Sequence, residues 1–465
     1  MAGGTKGPAV GCAALALAIA APAPSPARAD TLLGSLAQAY QCNPQLNSQR
    51  AIVRQTDEGV PQALAGYRPR VQGTANIGEQ FTWQEVSAGG VNATQRQYLQ
   101  PRSIGATAQQ TLFNGFQTGN RTRAAESAVF AARSTLRVIE QQVLLDSATA
   151  YMNVLRDAAI LEVQRSNVRV LGETLRQTRD RFNVGEVTRT DVAQAQAQLA
   201  AGQSQMLGAE SNLITSNATY RRVICSEPGK LAPGSPVDRL SPRTLPGAID
   251  LGVATNPSVT AAMYGVDVAQ LQVKVAEGAL YPVVTLQGSV NRTHDLQGSI
   301  PEQFTANGQV AVTVPIYQGG AEYSTIRQTK ETLGQKRLDL ATTRDQARAT
   351  VVQAWGQHEA AKAQIQAAQE QVTASEVALN GVREEARVGQ RTTLDVLNAQ
   401  QALVNARIAL VTAQHDRVVA SYNLLASVGR LSPRVLGLNT PIYDPMIHYQ
   451  QVRDNWYGVR TPDGK

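Results

Sequence analysis

Two long stretches of the chain contain no proline and place apolar residues at steps of seven. They run from Gln117 to Val184 and from Ala321 to Val388, and each would measure ~100 Å as a single helix. Such heptads are typical of helices that pack side by side, so the pattern predicts long helical hairpins; an ordinary soluble coiled coil would carry the same heptads. The heptad positions are Val154, Leu161, Val168, Leu175 and Phe182, then Ile365, Val372, Leu379 and Ala386, and in the last helix Leu397, Val404, Val411, Val418 and Leu425.

Four shorter segments alternate apolar and polar side chains, which is the period of a β-strand. They begin near Val71, Ile104, Val284 and Val310, and each has about ten residues, the length of a tilted transmembrane strand. Because an open sheet edge cannot exist in lipid, membrane strands in this number require several chains to share one barrel. The alternative is two amphipathic hairpins that cover a soluble core. No run of 18 apolar residues follows residue 29, so we expect no membrane-spanning helix.

These elements occur twice, because the chain contains an internal repeat. The first helices are predicted at Thr31 to Leu64 and Ala248 to Leu280. Early landmarks recur at an offset of 213 residues and later ones at 204, so we expect the halves to differ by one loop between Pro69 and Phe113. The predicted divisions are a signal peptide (1–29), a first repeat (30–226), a proline-rich linker (227–246), a second repeat (247–436) and a C-terminal tail (437–465).

Composition and charge favour an exported, elongated protein. Lys6, an apolar run from Val10 to Ala23 and the small residues around Arg28 have the order of a cleavable signal peptide, and the run is too short for a membrane anchor. With 43% hydrophobic and 17% charged residues, the chain is too apolar for disorder and too polar for a bundle of membrane helices. The net charge of +7 is spread along helices, so we expect no nucleic-acid binding.

Residues for enzymatic chemistry are hard to find. The segment that begins at His358 lacks the second histidine of a zinc-binding helix. The chain also contains no Gly-x-Ser-x-Gly elbow, no phosphate-binding loop and no Cys-x-x-Cys pair. We therefore expect no enzyme activity, no cofactor and no metal site.

Taken in order, the duplicated landmarks of the chain resemble those of the TolC family of outer membrane efflux proteins, over nearly all of the mature sequence. They are Asn43-Pro44 and Asn256-Pro257, Thr111-Leu112-Phe113-Asn114-Gly115 and Val314-Pro315-Ile316-Tyr317-Gln318-Gly319-Gly320, and Arg181-Phe182-Asn183-Val184-Gly185 with Val388-Gly389. The resemblance implies a mainly α fold with a membrane β-barrel. Three chains with four strands each would form a 12-stranded barrel, and their long helical hairpins would form an α-barrel. The homotrimer would sit in the lipid of a Gram-negative outer membrane and extend into the periplasm.

By the same resemblance the protein would be the outer membrane channel-tunnel of a tripartite export system. Its partners would be a periplasmic adaptor (membrane fusion protein) and an inner membrane transporter of the ABC or RND class. The tail from Tyr443-Asp444-Pro445 to Trp456-Tyr457-Gly458 looks like the subgroup that serves type I protein secretion, and drug efflux stays open as a second cargo class. The alternative is a periplasmic or surface coiled-coil adaptor that has no channel.

The resemblance also assigns roles at the periplasmic tip. Val184, Gly185, Val388 and Gly389 would form the two turns on which the adaptor docks. Glycine suits these turns, because a left-handed backbone is needed where one helix ends and the next begins.

Four further residues match positions that hold such a tip closed: Thr190, Asp191, Arg391 and Asp395. Arg391 would bond to Thr190 or Asp191 of a neighbouring hairpin, and three copies of Asp395 would form an acidic ring in the entrance. The alternative for Asp191 and Asp395 is helix capping, since both follow directly after a turn.

Cys42 and Cys225 are the only cysteines of the mature chain, and neither has a cysteine at its repeat mate. Cys42 lies at the start of the first predicted helix and Cys225 at the end of the tip helix, and in the family's arrangement those two ends meet midway along the tunnel. An oxidising periplasm then favours a disulfide between Cys42 and Cys225, and the alternative is two small buried thiols.

Overall fold

The computed structural model describes residues 30–297, 300–462 and 464, and the predicted signal peptide (1–29) lies outside this part. The order of helices, strands, long helix and shorter helix is the same in both halves. In chain order the elements are α1 (Leu32–Cys42), α2 (Pro44–Asp57), α3 (Gly59–Leu64), β1 (Arg70–Ile77), β2 (Gln80–Ala88), β3 (Val91–Leu99), β4 (Arg102–Asn114), α4 (Gln117–Asn183), α5 (Arg189–Ile224), α6 (Leu245–Thr255), α7 (Pro257–Gly278), β5 (Val283–Gln297), β6 (Ile300–Thr313), α8 (Ala321–Arg387), α9 (Thr393–Ser427), α10 (Pro433–Leu436) and α11 (Pro445–Val452).

The two long helices confirm the prediction made from the missing prolines. α4 and α8 each contain 67 residues, which is ~100 Å at 1.5 Å per residue. Each begins directly after a residue with a left-handed backbone, Phe116 at φ 63° and Gly320 at φ 85°. Each returns as a shorter helix, so α4 with α5 and α8 with α9 form two helical hairpins.

The helices meet through a narrow seam of small side chains. In α8 the buried residues include Ala347, Ala354, Ala361 and Ala368, which follow one another at steps of seven. Alanine at these positions lets neighbouring helices approach closely, as the scarcity of aromatic residues suggests. Phe182, the last predicted heptad position of α4, is 42% exposed because it lies next to the tip turn.

The first helices of each half are interrupted, whereas the pattern predicts continuous ones. α1 gives way to α2 at Asn43, and α6 gives way to α7 at Asn256. In both places the asparagine side chain accepts a hydrogen bond from the next helix, and a proline occupies the first helical position, where no N–H is needed. The Asn-Pro landmarks of the repeat are therefore helix starts.

The four predicted strands form one antiparallel sheet in the order β1-β4-β5-β6. Residues opposite each other point to the same face, so the register decides what each face displays. One face carries polar rows that cross all four strands: Arg70, Gln109, Gln287 and Gln309, followed by Gln72, Thr107, Ser289 and Asn307. The other face carries Val71, Ile77, Ile104, Leu286, Val290, Phe304 and Val310, all exposed in the single chain.

A further hairpin was not predicted. Within the described part of the chain, β2 and β3 pair only with each other, and Phe81 of β2 contacts Tyr98 of β3 with ring centroids 4.7 Å apart. The sequence pattern assigns Phe81 to the first strand, because alternation continues across the break between Ile77 and Gln80. The extra residues of the first half thus lengthen a hairpin. β6 ends at Thr313, three residues before the alternation ends at Ile316, but it begins at Ile300 and is longer than the predicted strand.

No helix within the described residues is long and apolar enough to cross a membrane.

Cys42 ends α1, Cys225 caps α5, and the structure joins them by a disulfide with Cα atoms 6.4 Å apart. Cys225 has a left-handed backbone (φ 64°), which stops α5 at this point. Next to the bond, the side chain of Asn43 donates a hydrogen bond to the carbonyl of Val223 (3.0 Å). The start of the first half is thereby tied to the end of its tip helix.

We expect no free thiol in the exported protein denatured without reductant, and two per chain after reduction. The Cys42→Ser/Cys225→Ser variant should lose ~2 to 5 kcal/mol of stability, the range measured for native disulfides. Thiol titration of the denatured protein decides the first point, and two reactive thiols before reduction would disprove the bond.

The linker between the repeats is held against the second hairpin by charged side chains. His358 of α8 lies 3.0 Å from the carboxylate of Asp238, and Arg417 of α9 pairs with the other oxygen of the same group. Burial alone would raise the pKa of Asp238, but the hydrogen bonds from Arg417 and His358 lower it below its ordinary value. This contact therefore persists above the ordinary pKa of about 3.9 and weakens as pH falls further.

A second group of charged residues, which we call the tail clamp, consists of Asp57, Arg133 and His448. Asp57 ends α2, and its side chain is completely buried. His448 of α11 lies 3.0 Å from one carboxylate oxygen, and Arg133 of α4 lies 3.8 Å from the other. Burial raises the pKa of Asp57 above its ordinary value, although both partners act against the shift. The clamp holds the C-terminal tail against α2 and α4.

Candidate functional site at the helix tips

The two hairpins end in turns of the same kind. Gly185 and Gly389 have φ values of 83° and 79°, the left-handed region that glycine adopts without strain. In the first turn the amide of Gly185 donates to Phe182 and the amide of Glu186 donates to Arg181, both at 2.9 Å, which satisfies the last carbonyls of α4. The turn after α8 repeats this arrangement. The predicted left-handed glycines are confirmed.

Each tip also exposes one valine. Val184 and Val388 are 71% and 70% exposed in the single chain, and each directly precedes its glycine.

The shorter helices α5 and α9 begin with identical capping boxes. The carboxylate of Asp191 accepts from the backbone N–H (2.9 Å) and hydroxyl (2.7 Å) of Thr188, and the Thr188 hydroxyl in turn accepts from the amide of Asp191. Asp395 and Thr392 make the same bonds in α9. These hydrogen bonds lower the pKa of both carboxyl groups. The caps therefore hold above about pH 3.9 and are lost as pH falls below that value.

Arg391 precedes the second capping box and forms an ion pair within its own turn. Its guanidinium lies 2.9 Å from the carboxylate of Glu385, and the first tip has a comparable pair, Arg181 with Glu186 at 3.0 Å. Within one chain, the structure does not bring Arg391 to Asp191 or to Thr190, which is exposed on the first turn of α5. A bond of that kind would need a hairpin of another chain.

Between the two hairpins the tips enclose a cleft of about 1060 Å³. Asp191 and Arg391 line the same cleft, together with Gly389 of the second tip turn and Val187 just after the first. Its other charged residues are Arg169, Glu173, Arg181, Glu186, Arg383, Glu384 and Arg387. The cleft is therefore lined by charged residues of both signs, contributed by both hairpins.

The closed end of the cleft contains a polar contact that the sequence analysis missed. Gln400 of α9 is buried, accepts a hydrogen bond from Arg383 of α8 (3.1 Å) and lies 3.5 Å from the side chain of buried Asn167 of α4. Gln400 lies three residues after the heptad position Leu397, so a polar residue on the apolar stripe was the available signal. This contact joins the two hairpins at the depth where the cleft ends.

Within the described part of the chain, no group of three or more His, Cys, Asp or Glu side chains could hold a metal ion. The arrangement at the tips is thus one of turns, caps and exposed ion pairs.

Known proteins resemble the chain over nearly all of its length. The family model described as outer membrane efflux protein matches residues 35–224 and 248–430. The outer membrane efflux protein BepC of Brucella suis is 42% identical over 440 residues, which is 94% of each chain. The alkaline protease secretion protein AprF of Pseudomonas aeruginosa is 26% identical over 71% of this chain and 70% of its own.

Among solved structures, the CmeC outer membrane channel of Campylobacter jejuni has the same fold. Its TM-score is 0.76 at 16% identity, with 91% of this chain and 89% of that chain covered. The alternative of an adaptor without a channel has no counterpart in these matches. The repeated family match and the identity to BepC show that the chain belongs to the outer membrane efflux protein family and is an outer membrane channel for export.

Proposed function

We propose that three copies of the chain form one continuous conduit, a 12-stranded barrel in the outer membrane joined to a helical tunnel in the periplasm. The observation that carries the proposal is the four-stranded sheet. Its outer strands β1 and β6 each have an unpaired edge in the single chain, and its two faces differ sharply in polarity. Such edges need partners, and identical chains arranged in a ring supply them.

The polarity of the sheet favours three chains over two. Rows of Gln, Thr, Ser and Asn on one face suit water, while the opposite face is apolar enough for lipid. Eight strands from a dimer would make a barrel that its own side chains fill, whereas twelve leave an open lumen. A water-lined passage therefore needs more than two chains, and the trimer is the smallest ring that provides one.

The helical hairpins would carry the conduit across the periplasm. At ~100 Å, α4 and α8 are several times longer than a bilayer is thick. We place the gate at their tips, where Arg391 would bond to Thr190 or Asp191 of a neighbouring chain and Asp395 would form an acidic ring. The exposed Val184 and Val388, with Gly185 and Gly389, would receive the periplasmic adaptor.

The cargo would come from an inner membrane transporter of the ABC or RND class that shares the adaptor, and the chain would add no catalytic step. AprF is named for alkaline protease secretion, which favours type I protein export for this chain too. BepC is named an efflux protein, so export of small molecules is the second cargo class.

The oligomeric state tests the proposal. Light scattering of the detergent-solubilised protein should give the protein mass of three mature chains, and the same fraction should conduct ions in planar bilayers. A stable monomer or dimer that still conducts would refute the trimer. A trimer that never conducts, under any voltage or after removal of the tip charges, would refute the channel.

A further inference from the structure

The C-terminal tail runs from the tail clamp towards the membrane sheet. After α11 ends at Val452, Arg453 pairs with Glu126 of α4 (3.6 Å). Further on, the guanidinium of Arg68 donates a hydrogen bond to the carbonyl of Asn455 (2.6 Å) and stacks on the ring of Trp456 at 4.6 Å from its centroid. Residues 453–456 of the tail are therefore attached to the rest of the protein at both ends.

The contact with Arg68 fixes the position of Trp456 relative to the sheet. It stands two residues before β1, so its backbone is within ~7 Å of the sheet at a strand rise of about 3.3 Å per residue. The carbonyl of the preceding residue, Tyr67, accepts a hydrogen bond from Gln110 of β4 (3.1 Å). Trp456 thus lies at the end of the sheet that faces the helices.

An exposed aromatic residue marks each of the four places where the chain passes between helices and sheet. Tyr67 precedes β1, Phe116 follows β4, Tyr281 precedes β5 and Tyr317 follows β6. They are 50%, 67%, 52% and 78% exposed in the single chain. Aromatic residues collect at the boundary between hydrocarbon and water in membrane proteins, so these four mark that boundary on the periplasmic side.

Beyond Trp456 the tail presents apolar side chains that touch little of the protein. Trp456 is 67% exposed, Tyr457 96% and Val459 100%, and Arg460 follows at once. Aromatic rings followed by a cation match the chemistry of lipid headgroups, where an indole ring sits among glycerol groups and a guanidinium pairs with phosphate.

We propose that residues 456–460 anchor the C-terminal tail in the periplasmic leaflet of the outer membrane, with phospholipid as the ligand. The anchor rests on the proposed function, in which the apolar face of the sheet lies in lipid. The exposed tail residues then extend that lipid-facing surface towards the helices. Arg68 positions Trp456, and Trp456, Tyr457 and Val459 enter the interface while Arg460 contacts phosphate. In each chain of the trimer, the tail would then fasten α2 and α4 to the bilayer.

Tryptophan fluorescence tests the anchor in the full-length channel. The chain has three tryptophans, so a Trp83→Phe/Trp355→Phe variant reports on Trp456 alone. It is reconstituted into vesicles of phosphatidylethanolamine and phosphatidylglycerol, with or without phosphatidylcholine brominated near the headgroup end of its acyl chains. We expect brominated lipid to remove most of the Trp456 emission and aqueous iodide to have little effect.

The matched control retains only Trp355, in the Trp83→Phe/Trp456→Phe variant. Trp355 packs against the core midway along α8, so brominated lipid should leave its emission unchanged. Adding Arg68→Ala to the Trp456-only variant should reduce quenching by lipid and increase quenching by iodide, because the ring loses its stacking partner.

Three results would overturn the proposal. Strong iodide quenching without lipid quenching would put Trp456 in water, and resistance to both quenchers would bury it against a neighbouring chain. Iodide quenching that disappears when an adaptor protein is added, still without any quenching by brominated lipid, would make the tail a protein-docking segment. Conductance of the same vesicles separates these outcomes from failure of the channel, since a conducting channel with an unquenched Trp456 refutes only the anchor.

Discussion

Basal conductance of the purified channel should rise several-fold when Arg391 is replaced by alanine. The residue contributes a positive charge to the tip cleft, in which Asp191 supplies a negative one, and its present partner is Glu385 of the same turn. A single exposed ion pair contributes little to the stability of the closed state. Symmetric copies that break together can shift the equilibrium between the closed and open channel much further. Single-channel recording at fixed salt is the measurement, and high salt should shrink the difference between variant and wild type.

Arg387→Ala is the matched control for this gate. Arg387 lines the same cleft and is also exposed, but it pairs with Glu384 one turn back on its own helix. We expect it to leave conductance unchanged. Equal opening by both variants would mean that the total charge of the cleft matters rather than a bond of Arg391. No change in either would place the gate elsewhere.

The role of Asp395 can be separated from its role as a helix cap. Asp395→Asn removes the charge but retains an oxygen that accepts from the amide and hydroxyl of Thr392. Thr392→Ala weakens the cap and retains the charge. If Asp395 forms an acidic ring, block by trivalent cations from the periplasmic side should disappear in the first variant and persist in the second. The reverse result would make Asp395 a cap alone.

The second large effect is expected in the tail clamp. Arg133→Met should increase hydrogen exchange of α11 by about two orders of magnitude, because it removes one of two partners from a completely buried carboxylate. Breaking a buried pair costs ~3 to 5 kcal/mol, and the remaining contact with His448 places the expected loss at the lower end. Hydrogen exchange of peptides within 445–452 measures the effect without unfolding the channel.

A double variant and a pH series make this test specific. Asp57→Asn/Arg133→Met should restore part of the protection, because no charge is then left buried without its partner, while the direct contacts of Arg133 with α11 stay lost. In Arg133→Met alone, loss of a group that lowers the pKa of Asp57 should raise that pKa further. A raised carboxyl pKa favours the folded contact at acid pH, so protection should improve as pH falls from 7 towards 5. Protection that is equal in both variants, or independent of pH, would contradict the role of the buried charge.

Local patterns were sufficient for most of the architecture. The absence of proline and the heptads predict α4 and α8 nearly to the residue, since a helix depends on neighbours three and four positions away. Gly185 and Gly389 predict the tip turns for the same reason, because the left-handed requirement is set by one residue. The alternation of β1, β4, β5 and β6 likewise predicts a sheet with one polar and one apolar face.

The alternating pattern predicts the wrong strand boundary where a break between two strands does not interrupt the alternation. Alternation runs on from Ile77 through Phe81, so one strand was predicted where the structure has β1 and the start of a separate hairpin. The period of two specifies which face a residue takes, and it carries no information on where the hydrogen-bonded partner changes.

The sequence by itself determined the lengths of the two long helices, the two halves, the tip turns and the polarity of the sheet, because each depends on residues close together in the chain. Only the tertiary structure decided the long-range partners. Asp57 meets His448 across 391 positions and Arg68 stacks on Trp456, yet none of these four stands in a periodic pattern. Such contacts depend on which surfaces of separate elements come together. A charge that would contribute little on the surface contributes strongly to stability once it is buried, because it then needs its partner.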